Sequence, residues 1–186
     1  GVVVAARLPL SSQAARLAAE WVDAGIPVVH LYGDDIGLDL DGRHLVDAIR
    51  EVHLHLVKQA TRDQATLVVS GGVAAAEHVA KLIACGADLT AIDFTMQVAW
   101  GCALWADKSR CSVENESLDP DWGAQRLIYL LGAWRDQLLE ALGAMGMREV
   151  RRLRGEIGRT IWVVNEEPAF RANLGGSQPR AHYPKL

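Results

Sequence analysis

Apolar runs alternate with amphipathic stretches along the first part of the chain. Short, nearly continuous apolar runs predict buried strands at 2–8, 27–33, 66–72 and 89–93. Each run is followed by apolar residues at helical spacing, which predict helices at 11–25, 42–60, 74–86 and 95–106. We expect a serine at 11 and Asp41 to cap the first two helices. The pattern therefore indicates four βα units with a parallel sheet covered by helices.

The spacing of these units bears on the kind of α/β fold. Strands that begin 25, 39 and 23 residues apart are compatible with a (β/α)8 barrel and with a doubly wound sheet. A complete barrel has eight units and typically about 250 residues, so four units are half of one. The sequence predicts either a small open sheet or half of a TIM-type barrel whose other strands come from another chain or segment.

A different pattern follows the βα region. Asp119 and Pro120 are suited to begin a long helix over 119–146. One broad face of this helix is predicted to be buried and comprises Trp122, Leu127, Leu130, Leu131, Trp134, Leu138 and Leu142. A basic helix is predicted over 147–156, before a Pro- and Gly-rich end without periodicity. We divide the chain into the βα units (1–118), C-terminal helices (119–160) and an irregular arm (161–186).

Composition narrows the classes of partner and compartment. The formal net charge of −4 argues against nucleic acid, and no apolar stretch reaches the roughly 18 residues of a membrane span. Without a basic leader before its first apolar run, the chain is expected to be cytoplasmic. The cysteines at 85, 102 and 111 match neither a disulfide framework nor a metal knuckle, so we expect reduced thiols. The arginines at 151, 152, 154 and 159 indicate a solvated or protein-contacting face.

The third predicted strand ends in Ser70, Gly71 and Gly72, directly before a helix. A glycine turn at the start of a helix can hold a phosphate with backbone N–H groups. The same residues also suit a tight turn with close packing. A small anionic ligand at this turn is therefore one prediction, and a packed turn without a ligand is the alternative.

The loop over 33–42 carries four carboxylates, at Asp34, Asp35, Asp39 and Asp41. Hard oxygen ligands in a short loop could bind Ca²⁺ or Mg²⁺, but the spacing of a calcium loop is absent. Solvation and capping of the next helix is the favoured interpretation. Because loops after strands build the active sites of barrels, the loop stays on the list of candidates.

Two residues of the first two strands carry candidate chemistry. Arg7, near the end of its strand, either faces a ligand or pairs with the aspartates at 34, 35 or 93. His30 shares a strand face with Tyr32, and a single histidine there is interpreted as a core residue.

Several residues that end the predicted strands match a known family in order and spacing. These residues are Arg7, Gly33 with Asp35, Ser70 with Gly71 and Gly72, and Asp93 with Phe94. Together they resemble the C-terminal half of the FMN-binding barrel of the glutamate synthase family, over residues 2–160. The resemblance implies half of a (β/α)8 barrel, FMN as the cofactor and formation of L-glutamate from 2-oxoglutarate and ammonia.

The resemblance assigns a position to each of these residues. Arg7 occupies the position of an FMN-contacting lysine, and Gly33 and Asp35 match a glycine-rich loop, in which Asp34 replaces a histidine. Ser70, Gly71 and Gly72 fall on the family's Asp/Ala-Gly-Gly phosphate turn. Asp93 and Phe94 fall on a Gly-Thr pair that completes the phosphate site.

Two departures from the family pattern bear on cofactors. Asp93 puts a carboxylate where a phosphate would lie, and two anions about 4 Å apart repel by roughly 4 kcal/mol at an effective dielectric near 20; Phe94 adds bulk. The family's three-iron cluster needs C-x5-C-x4-C, and after Cys102 the next two positions are Lys108 and Val113. FMN is favoured by the glycines and opposed by Asp93, and an iron–sulfur cluster is not expected.

Two functions follow from these observations. The first is an FMN-dependent oxidoreductase of glutamate synthase type. The second is a non-catalytic structural or regulatory subunit that has lost FMN and the cluster. Because half a barrel leaves open sheet edges, we expect a protein partner or a homo-oligomer to complete it.

Overall fold

A computed structural model describes residues 2–102 and 119–159 of the 186-residue chain. Its four parallel strands are β1 (Ala5–Pro9), β2 (Val28–Tyr32), β3 (Thr66–Ser70) and β4 (Leu89–Thr90). The strands lie side by side in the order β1-β2-β3-β4. Because each strand pairs with the next one in sequence, the chain winds in one direction, as in a barrel; a doubly wound sheet reverses its order. The α/β prediction of a partial barrel is confirmed.

The helices follow the strands as predicted. They are α1 (Ala14–Asp23), α2 (Leu45–Lys58), α3 (Ala76–Ala84), α4 (Phe94–Ala99) and α5 (Pro120–Ala144). Short 3₁₀ turns lie at Arg62–Gln64, Val150–Leu153 and Ile157–Arg159. No helix among the described residues is long and apolar enough to cross a membrane.

One face of the sheet is buried under the helices. Leu8, Leu31 and Val69 lie in register across three strands and are at most 4% exposed. They form the main core with the apolar sides of α1, α2 and α3. At about 25 cal/mol per Å² of apolar surface, this layer supplies most of the stabilisation of the fold.

The other face of the sheet has no helix over it in the described part of the chain. Its central row is Arg7, His30, Val68 and Leu89, in register across all four strands. Leu89 is 55% exposed. Among the described residues, β1 pairs only with β2, and β4 pairs only with β3. This open face would be the interior of a completed barrel.

Several predicted element ends differ from the structure. No side chain caps α1, and α2 is capped by His44, whose Nδ1 accepts from Val46 N–H. Asp41 instead accepts the backbone N–H of Ser12. The predicted Asp41 cap was wrong because the loop continues three residues further, and the carboxylate binds the neighbouring βα loop.

The C-terminal elements also need correction. Asp119 caps α5 and Pro120 begins it, as predicted. The buried stripe is narrower than predicted, since Trp122 is 47% and Leu131 49% exposed. The helix predicted over 147–156 is a 3₁₀ turn, and α4 ends at Ala99 before a turn at Gly101, where φ is +82°. The predicted helical residues 103–106, the cluster positions Lys108, Cys111 and Val113, and the arm 161–186 lie outside the described residues.

Candidate functional site

The candidate site lies at the carboxyl edge of the sheet, where the four parallel strands end. Because the strands are parallel, their following loops meet at this edge. The edge brings together Arg7, Ser70 and the glycine turn, the loop that begins at Gly33, and Asp93.

Close packing explains the glycine turn. Gly71 and Gly72 have φ values of +113° and +61°, which L side chains rarely adopt. A Cβ on Gly71 would lie 2.8 Å from the carbonyl oxygen of Asp34, and one on Gly72 would lie 2.7 Å from Cα and N of Gly37. Gly33 N–H donates to the carbonyl oxygen of Ser70 at 3.0 Å and ties the two loops together. The packed-turn alternative therefore accounts for both glycines.

The acidic loop is held mainly by its own carboxylates. Oδ1 of Asp34 accepts the N–H groups of Ile36 and Leu38 at 3.1 and 2.7 Å. Asp39 is 7% exposed and accepts two backbone N–H groups and the Arg43 guanidinium. Burial alone would raise the pKa of Asp39, but the hydrogen bonds from Arg43 and Asp41 outweigh it and leave the pKa below its ordinary value.

The carboxylates of Asp34 and Asp39 therefore bind groups of their own loop, but they neither cap α2, which His44 does, nor are all solvated, since Asp39 is buried. No group of three or more possible metal ligands occurs among the described residues. Asp35 lies exposed at the tip of the loop, beside Asp34.

Arg7 lies on the open face and stacks on an aromatic ring. Its guanidinium carbon is 4.1 Å from the centroid of the Tyr32 ring, a cation–π contact that holds the side chain over β2. Within the described residues no carboxylate oxygen lies within ion-pair distance of Arg7. The predicted ion pair with Asp34, Asp35 or Asp93 was wrong, because in-register pairing sets Arg7 next to β2 and within reach of Tyr32.

His30 joins the same cluster and lies outside the main core. Its Nε2 is 2.9 Å from the Ser70 hydroxyl, and its ring meets that of Tyr32 edge-on. Partial burial lowers the pKa of His30, the positive charge of Arg7 lowers it further, and the carboxylate of Asp93 opposes both. The core interpretation of His30 was wrong, since the core residues of β2 are its neighbours Val29 and Leu31.

The start of α4 is tied to the glycine turn. The Thr95 hydroxyl is buried and donates to the carbonyl oxygen of Val73. The carbonyl oxygen of Asp93 accepts the N–H groups of Met96 and Gln97 in the first turn of α4. Phe94 is the first residue of α4. This anchoring keeps Asp93 at the site, where its charge acts on His30.

The charges at the carboxyl edge do not fit a flavin phosphate. A phosphate carries up to two negative charges and needs N–H donors or cations around it. Among the described residues, the backbone of Asp34 contacts the turn, Asp35 lies exposed beside Asp34, and the charge of Asp93 acts on His30, whose ring contacts Ser70. Arg7 is held over Tyr32. The residues that the resemblance assigns to FMN are thus assembled at one edge, but in an acidic setting.

Sequence reasoning did not place Tyr32 and His30 in the site. The available signal was strand alternation, which sets both residues on one face of β2. Which face carries Arg7 depends on the register between β1 and β2, and the sequence does not contain that register.

Comparison with known proteins agrees with the fold and names a family. Residues 37–116 match the model described as the conserved region in glutamate synthase. The archaeal glutamate synthase [NADPH] of Methanocaldococcus jannaschii is 30% identical over 148 residues, which cover 74% of this chain and 28% of that protein. The archaeal-type enzyme of Thermotoga neapolitana is 35% identical over 118 residues, 58% of this chain and 23% of that protein. The chain thus spans about a quarter of the length of these relatives.

Solved structures share the fold at low sequence identity. A variant of flavocytochrome b2 with sulfite bound has a TM-score of 0.59 and 18% identity, covering 100% of this chain and 42% of that one. A mandelate oxidase variant with an FMN adduct has a TM-score of 0.53 and 19% identity, covering 83% and 40%. Each likeness covers less than half of the longer protein, as expected for a partial barrel. By its family match and its relatives, this chain belongs to the glutamate synthase family, of which it carries part of the barrel.

Proposed function

We propose that this chain is a non-catalytic half of a glutamate synthase-type barrel and acts together with four further βα units. The observation that carries the proposal is the open face of the sheet. Its row Arg7, His30, Val68 and Leu89 has no covering layer, and the outer edges of β1 and β4 carry no strand within the described residues. An unpaired edge presents backbone donors and acceptors that a partner strand would satisfy.

Geometry favours a partner of the same architecture. A parallel sheet of four strands in sequential order closes when β4 meets the first strand of a second set of four, and that set's last strand meets β1. A second copy, another chain or a further chain segment could each supply such a set. In every case Leu89, on the edge strand, would enter the interior of the barrel.

Sedimentation velocity of two matched variants tests this pairing. Leu89→Asp puts a charge on the edge strand, and Leu139→Asp puts one on the outer side of α5, where the leucine is 49% exposed. We expect the wild type and Leu139→Asp to form a dimer or larger complex at micromolar concentration, and Leu89→Asp to dissociate. A folded wild-type monomer would exclude a second copy as the source of the missing strands, and equal association of the wild type and Leu89→Asp would contradict the proposal that this edge is covered.

A second candidate function is the FMN-dependent reductive amination of 2-oxoglutarate to L-glutamate. The observation that favours it is Arg7, a cation in the middle of β1 on the open face, whose guanidinium lies over Tyr32 at the end of β2 and has no carboxylate partner in the described chain. Bound FMN would supply the redox chemistry. The acidic surroundings of the glycine turn are the reason to rank this function second.

An FMN titration followed by flavin fluorescence separates the two functions. We expect no saturable binding to the wild type at micromolar FMN. Asp93→Asn removes one charge at the turn, and Asp121→Asn removes one in the first turn of α5 as a control. Stoichiometric binding by the wild type would support the second function, and binding gained only by Asp93→Asn would support the first.

A further inference from the structure

A buried ionic cluster lies at the opposite, amino edge of the sheet. We call it the amino-edge cluster and define it as His53, Arg62, Asp88 and Arg154. Arg62 is 5% exposed and donates to four acceptors. These are the carbonyl oxygens of Ala65 (2.7 Å) and Gly86 (2.8 Å), Oδ2 of Asp88 (2.7 Å) and Nδ1 of His53 (3.1 Å).

Asp88 links this arginine to the C-terminal segment 147–159. Its Oδ2 also accepts Leu67 N–H at 2.8 Å, and its Oδ1 accepts Nη1 of Arg154 at 2.8 Å. Arg154 reaches Asp63 through its other amino group at 3.2 Å. Four parts of the fold therefore meet here: α2, the turn before β3, the residue before β4 and the C-terminal segment.

The ring of His53 is enclosed by two glycines. A Cβ on Gly86 would lie 2.4 Å from Cβ and Cγ of His53, and a Cβ on Gly155 would lie 3.2 Å from its Nε2. Both glycines have positive φ, +122° and +79°. Because Nδ1 accepts from Arg62, the neutral ring carries its proton on Nε2, which faces Gly155 of the C-terminal segment.

We propose that protonation of His53 releases the C-terminal segment 147–159 from the amino edge, so that the amino-edge cluster is a pH-sensitive latch. A second proton has to enter at Nδ1, where it meets the N–H of Arg62 as donor against donor. The cation formed lies among Arg50 of its own helix, Arg62 and Arg154, with Asp88 as the counter-charge. Release of the segment relieves the repulsion between this cation and Arg154, because Arg154 moves away with the segment.

The electrostatics of the site support the direction of the effect. Burial, followed by the positive charges of Arg62 and Arg154, lowers the pKa of His53 from 6.5 to about 4, while Asp88 acts in the opposite sense. The latch is thus closed at neutral pH, and the released state gains population as the pH falls from 6.5 toward 4. Arg62 stays beside His53 when the segment leaves, so only part of the lowering of the pKa is recovered, and the opening equilibrium should rise roughly 5- to 20-fold between pH 7 and pH 5.

Release would open a second, smaller core. Ile83, Leu142 and Leu153 form this core between α3, α5 and the C-terminal segment, and they are at most 6% exposed. Loss of the Arg154 contacts removes the ion pairs of the segment and leaves it held by the packing of its apolar residues, among them Met147, Val150 and Leu153. The latch therefore couples the protonation of one histidine to the exposure of an apolar surface on α3 and α5.

Hydrogen exchange of peptides from 147–159 at pH 7 and pH 5 tests the latch, after correction for the intrinsic rates. We expect protection in wild type to fall roughly 5- to 20-fold at pH 5. His53→Asn keeps an acceptor for Arg62 but does not titrate, so its corrected protection should change less than threefold. His55→Asn, at a histidine that contacts Gln59, is the matched control and should behave like wild type.

Two results would overturn the proposal: a wild-type segment whose protection is unchanged at pH 5, or an equal loss in His53→Asn. If His53→Asn does not fold, an NMR titration of the imidazole Cε1–H signals of the wild type decides. The signal assigned to His53 should titrate well below pH 6 or titrate together with segment release. An ordinary titration of His53 near pH 6.5 with a protected segment would refute the latch.

Discussion

The charged side chains at the two edges of the sheet are in different environments. At the amino edge, Arg62 is buried and donates to four acceptors, and Asp88 binds two arginines and a backbone N–H. At the carboxyl edge, Arg7 lies on an open face over Tyr32, and the nearby carboxylates bind their own loops. At the amino edge, the charged groups are thus bonded to other groups of the fold. At the carboxyl edge, Arg7 lies on an open face where a ligand or partner could contact it.

The largest expected effect comes from removing the buried cation. Arg62→Met leaves two buried carbonyl groups without this donor and removes one of the two arginines bound to Asp88, which should cost about 3–5 kcal/mol of unfolding free energy. Arg7→Met, the matched change at the other edge, should cost less than about 1 kcal/mol. Urea unfolding of both variants measures the contrast, and equal losses would remove the distinction between the two edges.

The glycine turn tests whether the carboxyl edge is closely packed. Gly72→Ala combines a positive φ with a Cβ 2.7 Å from the backbone of Gly37, so we expect a loss of about 2–4 kcal/mol. Gly42 also has a positive φ, but a Cβ there meets nothing within 4 Å. Gly42→Ala should cost only about 1–2 kcal/mol in thermal or urea unfolding. A tolerated Gly72→Ala would show that the turn has room for a ligand.

Acidification should weaken the amino edge first. The folded pKa of His53 is below its ordinary value, so its contribution to stability is complete above pH 6.5 and is lost as the pH falls toward 4. Allowing for partial exposure, the unfolding free energy should drop by about 1 kcal/mol between pH 7 and pH 5. The pKa of Asp88 is also lowered, which places its loss at still lower pH, below about 4. In His53→Asn the decrease between pH 7 and pH 5 should be smaller, as measured by denaturant titrations at both pH values.

The smallest expected effect concerns the polar pair on the open face. Ser70→Ala removes the hydroxyl that contacts Nε2 of His30, and should cost about 1 kcal/mol. Thr66→Ala, on the same face of β3 at its other end, is the control, and its expected loss is smaller. Chemical denaturation of the two variants decides whether the His30–Ser70 pair contributes to stability.

The sequence was sufficient for the order of elements, because apolar strands and amphipathic helices have different periods. Strand ends were predicted within a few residues, and the Asp119 cap with Pro120 was correct. The errors arose where contacts between residues far apart in the sequence determine the position of a side chain or segment. Asp41 binds the backbone of Ser12 instead of capping α2. Arg7 contacts Tyr32 because of the strand register. Arg154 of the C-terminal segment binds Asp88. The residues assigned to the site by resemblance do converge on one edge, whereas their ligand stays a prediction.

The central claim is that the open face and outer edges of this half barrel are covered by further strands. Residue-level hydrogen exchange on β1 (Ala5–Pro9) in the native assembly tests it most directly. In a parallel strand, alternate N–H groups point to opposite sides, so those directed away from β2 have no partner within the described chain. We predict that these amides are protected as strongly as those bonded to β2. Rapid exchange at alternate positions of β1, beside protected neighbours, would contradict the account.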